Sequence, residues 1–319
     1  MFEHILVPLD GSALAEKVLP HAVTMAQTFD ARLTLLRAVE RRSDAEAQSV
    51  IDPLSWEIGK SEAEAYLDQI RARLADTDLQ VDQILSEGAA AERIIDFARA
   101  NDVDLIVISS HGRSGLSEWN ISSVVQKVIL GGYTPALIVR AYRPGPADLG
   151  DLSYRRVLVP LDGSQRAECV LPLAVALARS QDSMLLLARV VAEPEAPRRI
   201  AMTDEERILV DRLTELNQRQ ARDYLERVAS SLSVKVEPHV LEGNTPVALH
   251  KLVQERDVDL VVLNAHGYSG EAAWPYGSVA LNFIAYGSTP LLIMQDMPRE
   301  EIERTEAEKA AQEHTGHSS

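Results

Sequence analysis

VPLDGS occupies Val7 to Ser12, and the same six residues return at Val159 to Ser164, 152 positions later. At that offset HILVPLDGSALAEKVLPHAV, from His4, aligns with RVLVPLDGSQRAECVLPLAV, from Arg156. Further on, ARANDVDLIVISSHGRSG aligns with VQERDVDLVVLNAHGYSG at an offset of 155, so the second copy carries a net three extra residues. A period near 150 residues is the size of a domain, which indicates tandem duplication of one fold rather than a solenoid of short repeats.

The repeat divides the chain into four parts. We predict two domains over residues 1–142 and 153–297. The segment between them, 143–152, contains two prolines and two glycines, which favour a linker over a helix or strand. Residues 298–319 are mostly charged or polar, and we interpret them as a tail that is part helical and part disordered.

Within each copy, short apolar runs alternate with stretches of helical periodicity. The first copy has five such runs, HILVPL, RLTLLRAV, LQVDQILSEG, VDLIVISS and PALIVR. Runs that are almost entirely apolar are typical of parallel strands covered by helices on both faces. We therefore predict the α/β class, with two tandem, Rossmann-like, doubly wound domains. Each is expected to contain a five-stranded parallel sheet in the order 3-2-1-4-5, with helices on both faces.

The composition limits the possible partners. The net charge is −16, from 32 basic and 48 acidic side chains, and this excess disfavours nucleic acid and anionic membrane as main partners. No stretch approaches the roughly 20 apolar residues that cross a bilayer. The N-terminus, MFEHILVPLD, lacks the basic start of a signal peptide. A single cysteine, Cys169, fits a reducing compartment, so we expect a cytoplasmic protein.

The ligand site of such a fold is expected where the direction of the crossovers reverses, beyond the carboxyl ends of the first and fourth strands. The first strands end in Pro-Leu-Asp-Gly-Ser. The fourth strands end in SSHGRSG, Ser109 to Gly115, and in NAHGYSG, Asn264 to Gly270. Gly277-Ser278-Val279 begins the following helix of copy two, where free backbone amides suit a phosphate.

These motifs together resemble the universal stress proteins. The resemblance rests on VPLDGS, on DVDLVVLNAHG followed by nine residues and GSV, and on a final strand that begins with Thr-Pro, and it covers about 1–142 and 153–296. It implies ATP as the ligand, with Mg²⁺ as a possible companion. The aspartate and the end of the second strand would then lie near the adenine, the first glycine position near the ribose, and the later ones near the phosphates.

Carried over residue by residue, the resemblance implies two sets of nucleotide-binding positions. They are Pro160, Asp162, Val190, Asn264, His266, Gly267, Gly277, Ser278 and Val279 in copy two, and Pro8, Asp10, Ala38, Ser109, His111, Gly112, Ser122, Ser123 and Val124 in copy one.

Neither copy matches the family's pattern completely. Asn264 replaces the first glycine in copy two, whereas Ser109 and Ser122 replace two of the three glycines in copy one. If the Ser122 position requires a positive φ or close approach to a phosphate, its β-carbon costs about 1 kcal/mol. Trp119 and Trp274 lie in the intervening loops, where they would line or block a pocket. We therefore predict nucleotide binding chiefly in copy two.

Simpler roles compete with these assignments. Asp10 and Asp162 would serve equally as turn or cap residues, and Ser12 and Ser164 are expected to cap the first helix. No catalytic residue is predicted: the chain has no GxSxG elbow for a Ser-His-Asp hydrolase and no GxxxxGK[ST] loop for a kinase or ATPase. No metal site is predicted either, because no second carboxylate stands at a suitable spacing from the aspartates.

The last strand of each copy predicts a partner surface, because a sheet edge exposes unpaired backbone groups. The resemblance implies that this strand makes a dimer contact, so we expect an intramolecular pseudo-dimer, with a homo-oligomer also open. Helices that shield each edge are the alternative. Three functions remain open: a nucleotide-responsive, ATP-binding protein of stress adaptation, an interaction scaffold with degenerate sites, and a slow ATP hydrolase.

Overall fold

The computed structural model describes residues 1–40, 53–112, 121–142, 149–192, 203–267 and 276–295. The strands of the first half are β1 (His4–Pro8), β2 (Arg32–Val39), β3 (Val81–Glu87), β4 (Leu105–Ser109) and β5 (Ala136–Val139). Its helices are α1 (Leu19–Phe29), α2 (Pro53–Arg73), α3 (Ala90–Ala100) and α4 (Ser123–Gly132). The strands of the second half are β6 (Arg156–Pro160), β7 (Met184–Val191), β8 (Lys235–Glu242), β9 (Leu260–Asn264) and β10 (Leu291–Met294). Its helices are α5 (Gln165–Glu168), α6 (Leu171–Gln181), α7 (Asp204–Ser231), α8 (Thr245–Glu255) and α9 (Ser278–Tyr286).

The described strands form one sheet of ten strands in the order β3-β2-β1-β4-β5-β10-β9-β6-β7-β8. All pairs within a half are parallel, and the order 3-2-1-4-5 holds in both halves. The predicted fold class is therefore confirmed. The two halves meet where β5 pairs with β10, which is the antiparallel pair of the sheet.

Each face of this sheet carries a hydrophobic core that runs through both halves. Alternate residues of a strand point to opposite faces. Ile5 and Val7 of β1 accordingly pack in the core with α1, α2, α6 and α7, whereas Leu6 packs on the other side with α3, α4, α8 and α9. None of the described helices is both long enough and apolar enough to cross a membrane.

The first helix begins later than predicted. The sequence placed its start directly after Ser12, but a 3₁₀ turn over Ala15–Val18 precedes α1. Pro20 is the reason, because proline lacks an N–H and fits an α-helix only in its first turn. The corresponding helix of the second half is divided in the same way into α5 and α6, and a proline again lies in the first turn of α6.

The second helix begins before its apolar residues take up helical spacing. That spacing starts near residue 61, whereas α2 begins at Pro53. Leu54 and Ile58 in the added turns are exposed. The apolar side chains of these turns do not face the core. The turns therefore lack the regular spacing of buried apolar residues by which a helix is recognised in a sequence.

Side chains from each half hold the other half next to the β5–β10 pair. Arg140, only 4% exposed, donates from Nη2 to the carbonyl oxygens of Phe283 (2.6 Å) and Ile284 (3.1 Å) in α9. In the opposite direction, the Tyr276 hydroxyl donates to the Ile129 carbonyl of α4 at 3.0 Å. A guanidinium near the last carbonyls of a helix also interacts favourably with the helix dipole.

On the other face of the sheet, His21 of α1 forms a buried contact between the halves. Its Nδ1 lies 2.6 Å from the hydroxyl of Tyr154, the residue two positions before β6. The imidazole is 8% exposed, and burial lowers its pKa from 6.5 to about 4. His21 is therefore neutral in the folded protein at pH values where an exposed histidine is already charged.

We predict that His21 makes the protein less stable in mild acid. Between pH 6.5 and about 4 the unfolded chain binds a proton at this histidine and the folded protein does not. The free energy of unfolding should therefore fall by about 1.4 kcal/mol per pH unit in that window through this group alone. His21→Leu, which copies Leu173 of the second half, should remove this contribution in urea unfolding at several pH values. Identical pH dependence in both proteins would contradict the prediction.

We predict that Arg140→Met destabilises the contact between the halves. It leaves two carbonyls of α9 without their charged donor, which should lower the free energy of unfolding by about 1.5–3 kcal/mol. Arg99→Met is the matched control, because Arg99 Nη2 donates to the Gly131 carbonyl at 2.7 Å on the exposed surface of one half. That variant should change stability by about 0.5 kcal/mol or less. If urea denaturation showed the same loss of unfolding free energy in both variants, the position of Arg140 between the halves would not matter for stability.

Candidate functional site

The two loops that the sequence singled out lie side by side in each half. In copy two, β6 pairs with β7 on one side and β9 on the other, so the loops after β6 and β9 meet at the reversal of the crossovers. A β-carbon on Gly267 would overlap Asp162 Oδ2, and one on Gly112 would overlap Asp10 Oδ2. Glycine is therefore required after each histidine because the aspartate carboxylate occupies the space of a side chain.

Each aspartate organises its own loop. Asp162 Oδ1 accepts a hydrogen bond from Ser164 N at 2.9 Å, and the equivalent bond in copy one has the same length. Gly163, between these two residues, has a φ of 89°, which a residue with a β-carbon rarely adopts. Ser164 Oγ then accepts from Ala167 N at 3.1 Å, as a helix cap does. The turn role of the aspartate is thus present in the structure, and its ligand contact stays a prediction.

A stacked arginine–tyrosine pair contacts the helical turn that follows this loop. The Arg189 guanidinium lies 5.0 Å from the ring centre of Tyr224, whose hydroxyl donates to Glu168 Oε1 at 2.7 Å. Burial raises the pKa of Tyr224, and the hydrogen bond to Glu168 raises it further. Arg37 stacks on Tyr66 in copy one with a separation of 4.9 Å. Because both copies have this pair, it belongs to the architecture of the loop rather than to one ligand site.

A cavity of about 610 Å³ opens at the carboxyl ends of the copy-two strands. All nine positions predicted for copy two line it. They are Pro160, Asp162, Val190, Asn264, His266, Gly267, Gly277, Ser278 and Val279. The sequence therefore identified one continuous surface from segments more than 100 residues apart.

The cavity also has walls that the sequence did not reveal. Ala188, Leu249 and Tyr276 are among them. Ala188 was recoverable, because it lies two residues before Val190 and so points to the same face of β7. The other two come from α8 and from the residue before the α9 cap, and nothing in the local sequence places them at this site.

The two ends of the cavity differ in chemistry. At the β7 side its lining is apolar, through Ala188, Val190 and Leu249. At the other end lie the first residues of α9, whose N-cap is Gly277. Glycine has no side chain with which to accept from the first amides of the helix, so these amides can bind an anion.

Copy one differs at that helix start. Ser122, the N-cap of α4, accepts from Val125 N through Oγ at 3.3 Å, so its side chain already serves one of the helix amides. Its φ is −64° and that of Gly277 is −73°, so neither position has a positive φ. The β-carbon of Ser122 therefore causes no backbone strain, and the suspicion of a positive φ was wrong; the cost of a β-carbon close to a phosphate stays a prediction. The two copies differ in helix capping: the Ser122 side chain caps α4, whereas Gly277 has no side chain with which to cap α9.

Two further substitutions separate the copies. Leu36 of β2 corresponds to Ala188 of β7 at the offset of 152, and both side chains are buried. The larger leucine occupies volume that the alanine leaves to the cavity. Ser109 corresponds to Asn264. Asn264 Nδ2 donates to the Arg166 carbonyl oxygen at 2.9 Å. The single hydroxyl proton of Ser109 is shared between two carbonyl oxygens, that of His111 at 2.7 Å and that of Leu14, the residue equivalent to Arg166, at 3.0 Å.

The copy-one candidates occupy the equivalent places in the first half. Pro8, Asp10, Ala38, Ser109, His111, Gly112, Ser122, Ser123 and Val124 lie at or just beyond the ends of β1, β2 and β4 and at the start of α4. His111 Nδ1 is 3.0 Å from Ser110 Oγ, which also accepts from Ala141 N. Trp119 and Trp274, predicted to line or block the pockets, lie outside the described residues. The described residues contain no group of three or more His, Cys, Asp or Glu side chains arranged to hold a metal.

Comparison with known proteins gives matches in both sequence and structure. The model of the Universal stress protein family matches residues 1–140 and 153–295. Universal stress protein YxiE of Bacillus subtilis is 33% identical over 150 residues, which are 44% of this chain and 100% of that protein. A universal stress protein structure from Archaeoglobus fulgidus is 17% identical, with a TM-score of 0.66 over 92% of this chain and 98% of that one. The first relative spans one copy, and the second shares the fold of both.

We predict that Gly267→Ala disrupts the site whereas Gly277→Ala is tolerated. The first β-carbon must displace the Asp162 carboxylate, which should lower the free energy of unfolding by about 1–3 kcal/mol. The second would lie 3.4 Å from the Ala265 carbonyl oxygen, an ordinary contact, and should cost at most about 1 kcal/mol. Thermal and urea unfolding of the two variants test this difference. A larger loss for Gly277→Ala would contradict the described geometry.

Proposed function

The chain belongs to the universal stress protein family, and we propose that it binds ATP or a related adenine nucleotide, chiefly in copy two. It would act as a nucleotide-responsive, stress-adaptation protein in the cytoplasm. The cavity of copy two is the observation that carries this proposal. Its volume of about 610 Å³ lies in the range typical of small-molecule sites.

The chemistry of the cavity supports a nucleotide. The apolar lining at Ala188 and Val190 suits a purine ring, and the amides at the start of α9 suit phosphate. Asp162 follows β6, the strand that lies between β7 and β9. It is the one acidic side chain among the described residues of the lining, so Mg²⁺ would be held mainly by the phosphates of the nucleotide.

Copy one is better suited to a scaffold role. Ser122 accepts a hydrogen bond from one amide of its own helix, and Leu36 fills space that Ala188 leaves open in copy two. These two observations favour the interaction-scaffold alternative for this half of the chain. We propose that copy one contributes mainly to assembly, through the surface it shares with copy two.

The arrangement of the two domains supports this division. We propose that residues 1–142 and 153–297 form an intramolecular pseudo-dimer, joined by the linker at 143–152. The antiparallel pairing of β5 with β10 supports this proposal, because it joins the last strands of the two copies. Each copy thereby protects the sheet edge of the other.

Catalysis is not part of the proposal. The described lining of the cavity contains no lysine or arginine. Stabilisation of the charge that develops on a transferred phosphoryl group would therefore be weak. We expect ATP hydrolysis to be slow or negligible.

We predict that ATP binds with a stoichiometry near one per chain and that Asp162→Ala weakens binding by roughly 10-fold or more. Isothermal titration calorimetry or equilibrium dialysis with purified protein measures both quantities. Asp10→Ala is the matched control, since it removes the equivalent side chain of copy one, and it should leave the dissociation constant within about twofold.

Three results would contradict parts of the proposal. The absence of ATP binding at millimolar concentration would refute nucleotide binding altogether. Two equivalent sites per chain would refute the preference for copy two. A greater loss of affinity in Asp10→Ala than in Asp162→Ala would transfer the main site to copy one.

A further inference from the structure

The two halves contact each other at equivalent positions, but the chemistry differs in the two directions. Arg140, the residue after β5, corresponds to Gln295, the residue after β10, at the offset of 155. Ile284 of α9 corresponds in the same way to Ile129 of α4. The bond from Arg140 to the Ile284 carbonyl oxygen, at 3.1 Å, therefore has an equivalent direction in which copy two would contact the Ile129 carbonyl of copy one.

In that second direction the contact runs through Tyr276. Gln295 Nε2 donates to the Tyr276 hydroxyl at 2.6 Å, and this hydroxyl donates to the Ile129 carbonyl oxygen at 3.0 Å. Glutamine is shorter than arginine, and the phenol ring spans the distance that remains. The hydroxyl thus accepts one hydrogen bond and donates its proton in another, so it is satisfied on both sides.

Copy one has no residue that could form the equivalent bridge. The position of Tyr276 is occupied there by Ile121, which has no hydroxyl, and Arg140 reaches α9 directly. The bridge therefore exists in one direction, and it belongs to the half that contains the cavity. Tyr276 is itself one of the residues that line this cavity. A contact between the halves and a wall of the proposed ligand site are thus formed by the same side chain.

The bridge lies at the end of the cavity that would receive phosphate. Tyr276 directly precedes Gly277, the N-cap of α9, and the first amides of this helix have no side-chain cap. Their ability to bind an anion depends on where they point, and this depends on how the start of the helix is held. Arg140 binds carbonyls in the last turns of the same helix. Copy one therefore contacts α9 near both of its ends.

We propose that Tyr276 is a positioning residue, through whose hydroxyl copy one holds the start of α9 in the orientation that binds phosphate. The inference rests on the proposed function, because it concerns the phosphate end of the same site. Loss of the hydroxyl leaves the ring in the cavity wall but releases the residue before the helix cap, so the amides are less well preorganised. Ligand binding in copy two is then coupled to a contact with copy one.

The test compares a ligand that has phosphates with one that has none. ATP is titrated into the wild-type protein and the variants, and adenosine affinity is measured by competition with ATP. Tyr276→Phe should weaken ATP binding by roughly fivefold or more and leave adenosine affinity within about twofold. Tyr142→Phe is the matched control, because the Tyr142 hydroxyl lies 3.5 Å from the Gly287 carbonyl oxygen, in the same contact between the halves but at the other end of α9. It should leave both affinities within about twofold.

A second variant tests the bridge without changing the cavity wall. Gln295 is not among the described residues that line the cavity, so Gln295→Met alters the site only through the hydroxyl of Tyr276. It should weaken ATP binding and leave adenosine affinity unchanged, as Tyr276→Phe does. Combined with Tyr276→Phe it should cause no further loss, because two side chains that act as a unit are not additive.

Three results would overturn the inference, and they differ in what they mean for the proposed function. Equal loss of ATP and adenosine affinity in Tyr276→Phe would show that the hydroxyl only maintains the shape of the cavity. Wild-type ATP affinity in either Tyr276→Phe or Gln295→Met would refute the bridge and leave nucleotide binding intact. The absence of ATP binding by the wild-type protein would refute the proposed function and the inference together.

Discussion

The antiparallel pairing of β5 with β10 is the interaction on which the rest of the structure depends. It joins two parallel sheets into one of ten strands, and each hydrophobic core thereby extends through both halves. It also brings α4 and α9 close enough for each half to donate hydrogen bonds to the helix carbonyls of the other. Tyr276 shows what this means for the site, because it lines the copy-two cavity and donates to the Ile129 carbonyl of copy one. The wall of the proposed nucleotide site is therefore partly held by the other half of the chain.

The two copies share a scaffold and differ in what they offer to a ligand. The aspartate turn, the glycine that contacts it and the stacked Arg–Tyr pair are present in both halves. The differences are few and local: Leu36 against Ala188, Ser109 against Asn264, and Ser122 against Gly277. In each of these pairs, copy one fills space or satisfies a polar group with its own atoms. Copy two leaves space beside Ala188 and leaves the first amides of α9 without a side-chain cap, and this contrast underlies the proposed division of roles.

Some features of the structure were predicted correctly from the sequence, and others were not. The strand order was predictable from the alternation of apolar runs and helical stretches. The nine copy-two positions were implied by the family resemblance, and all of them line the cavity. The start of α1 was misplaced, since helical periodicity continues through the 3₁₀ turn before Pro20. The suspected strain at Ser122 was also wrong, because a residue type does not reveal the backbone angle at a helix cap.

The sequence by itself determined the duplication, the fold class and the two loops that lie side by side in each half. These follow from patterns that are local in the chain, namely apolar runs, helical periodicity and the repeated VPLDGS and HG motifs. Only the tertiary structure decided which side chains surround the cavity and which polar atoms remain without partners. Tyr276 at the wall and Oδ1 of Asn264 are the clearest cases. Their surroundings come from strands and helices that are distant in sequence, and hydrogen-bond satisfaction depends on distances that only the packed chain defines.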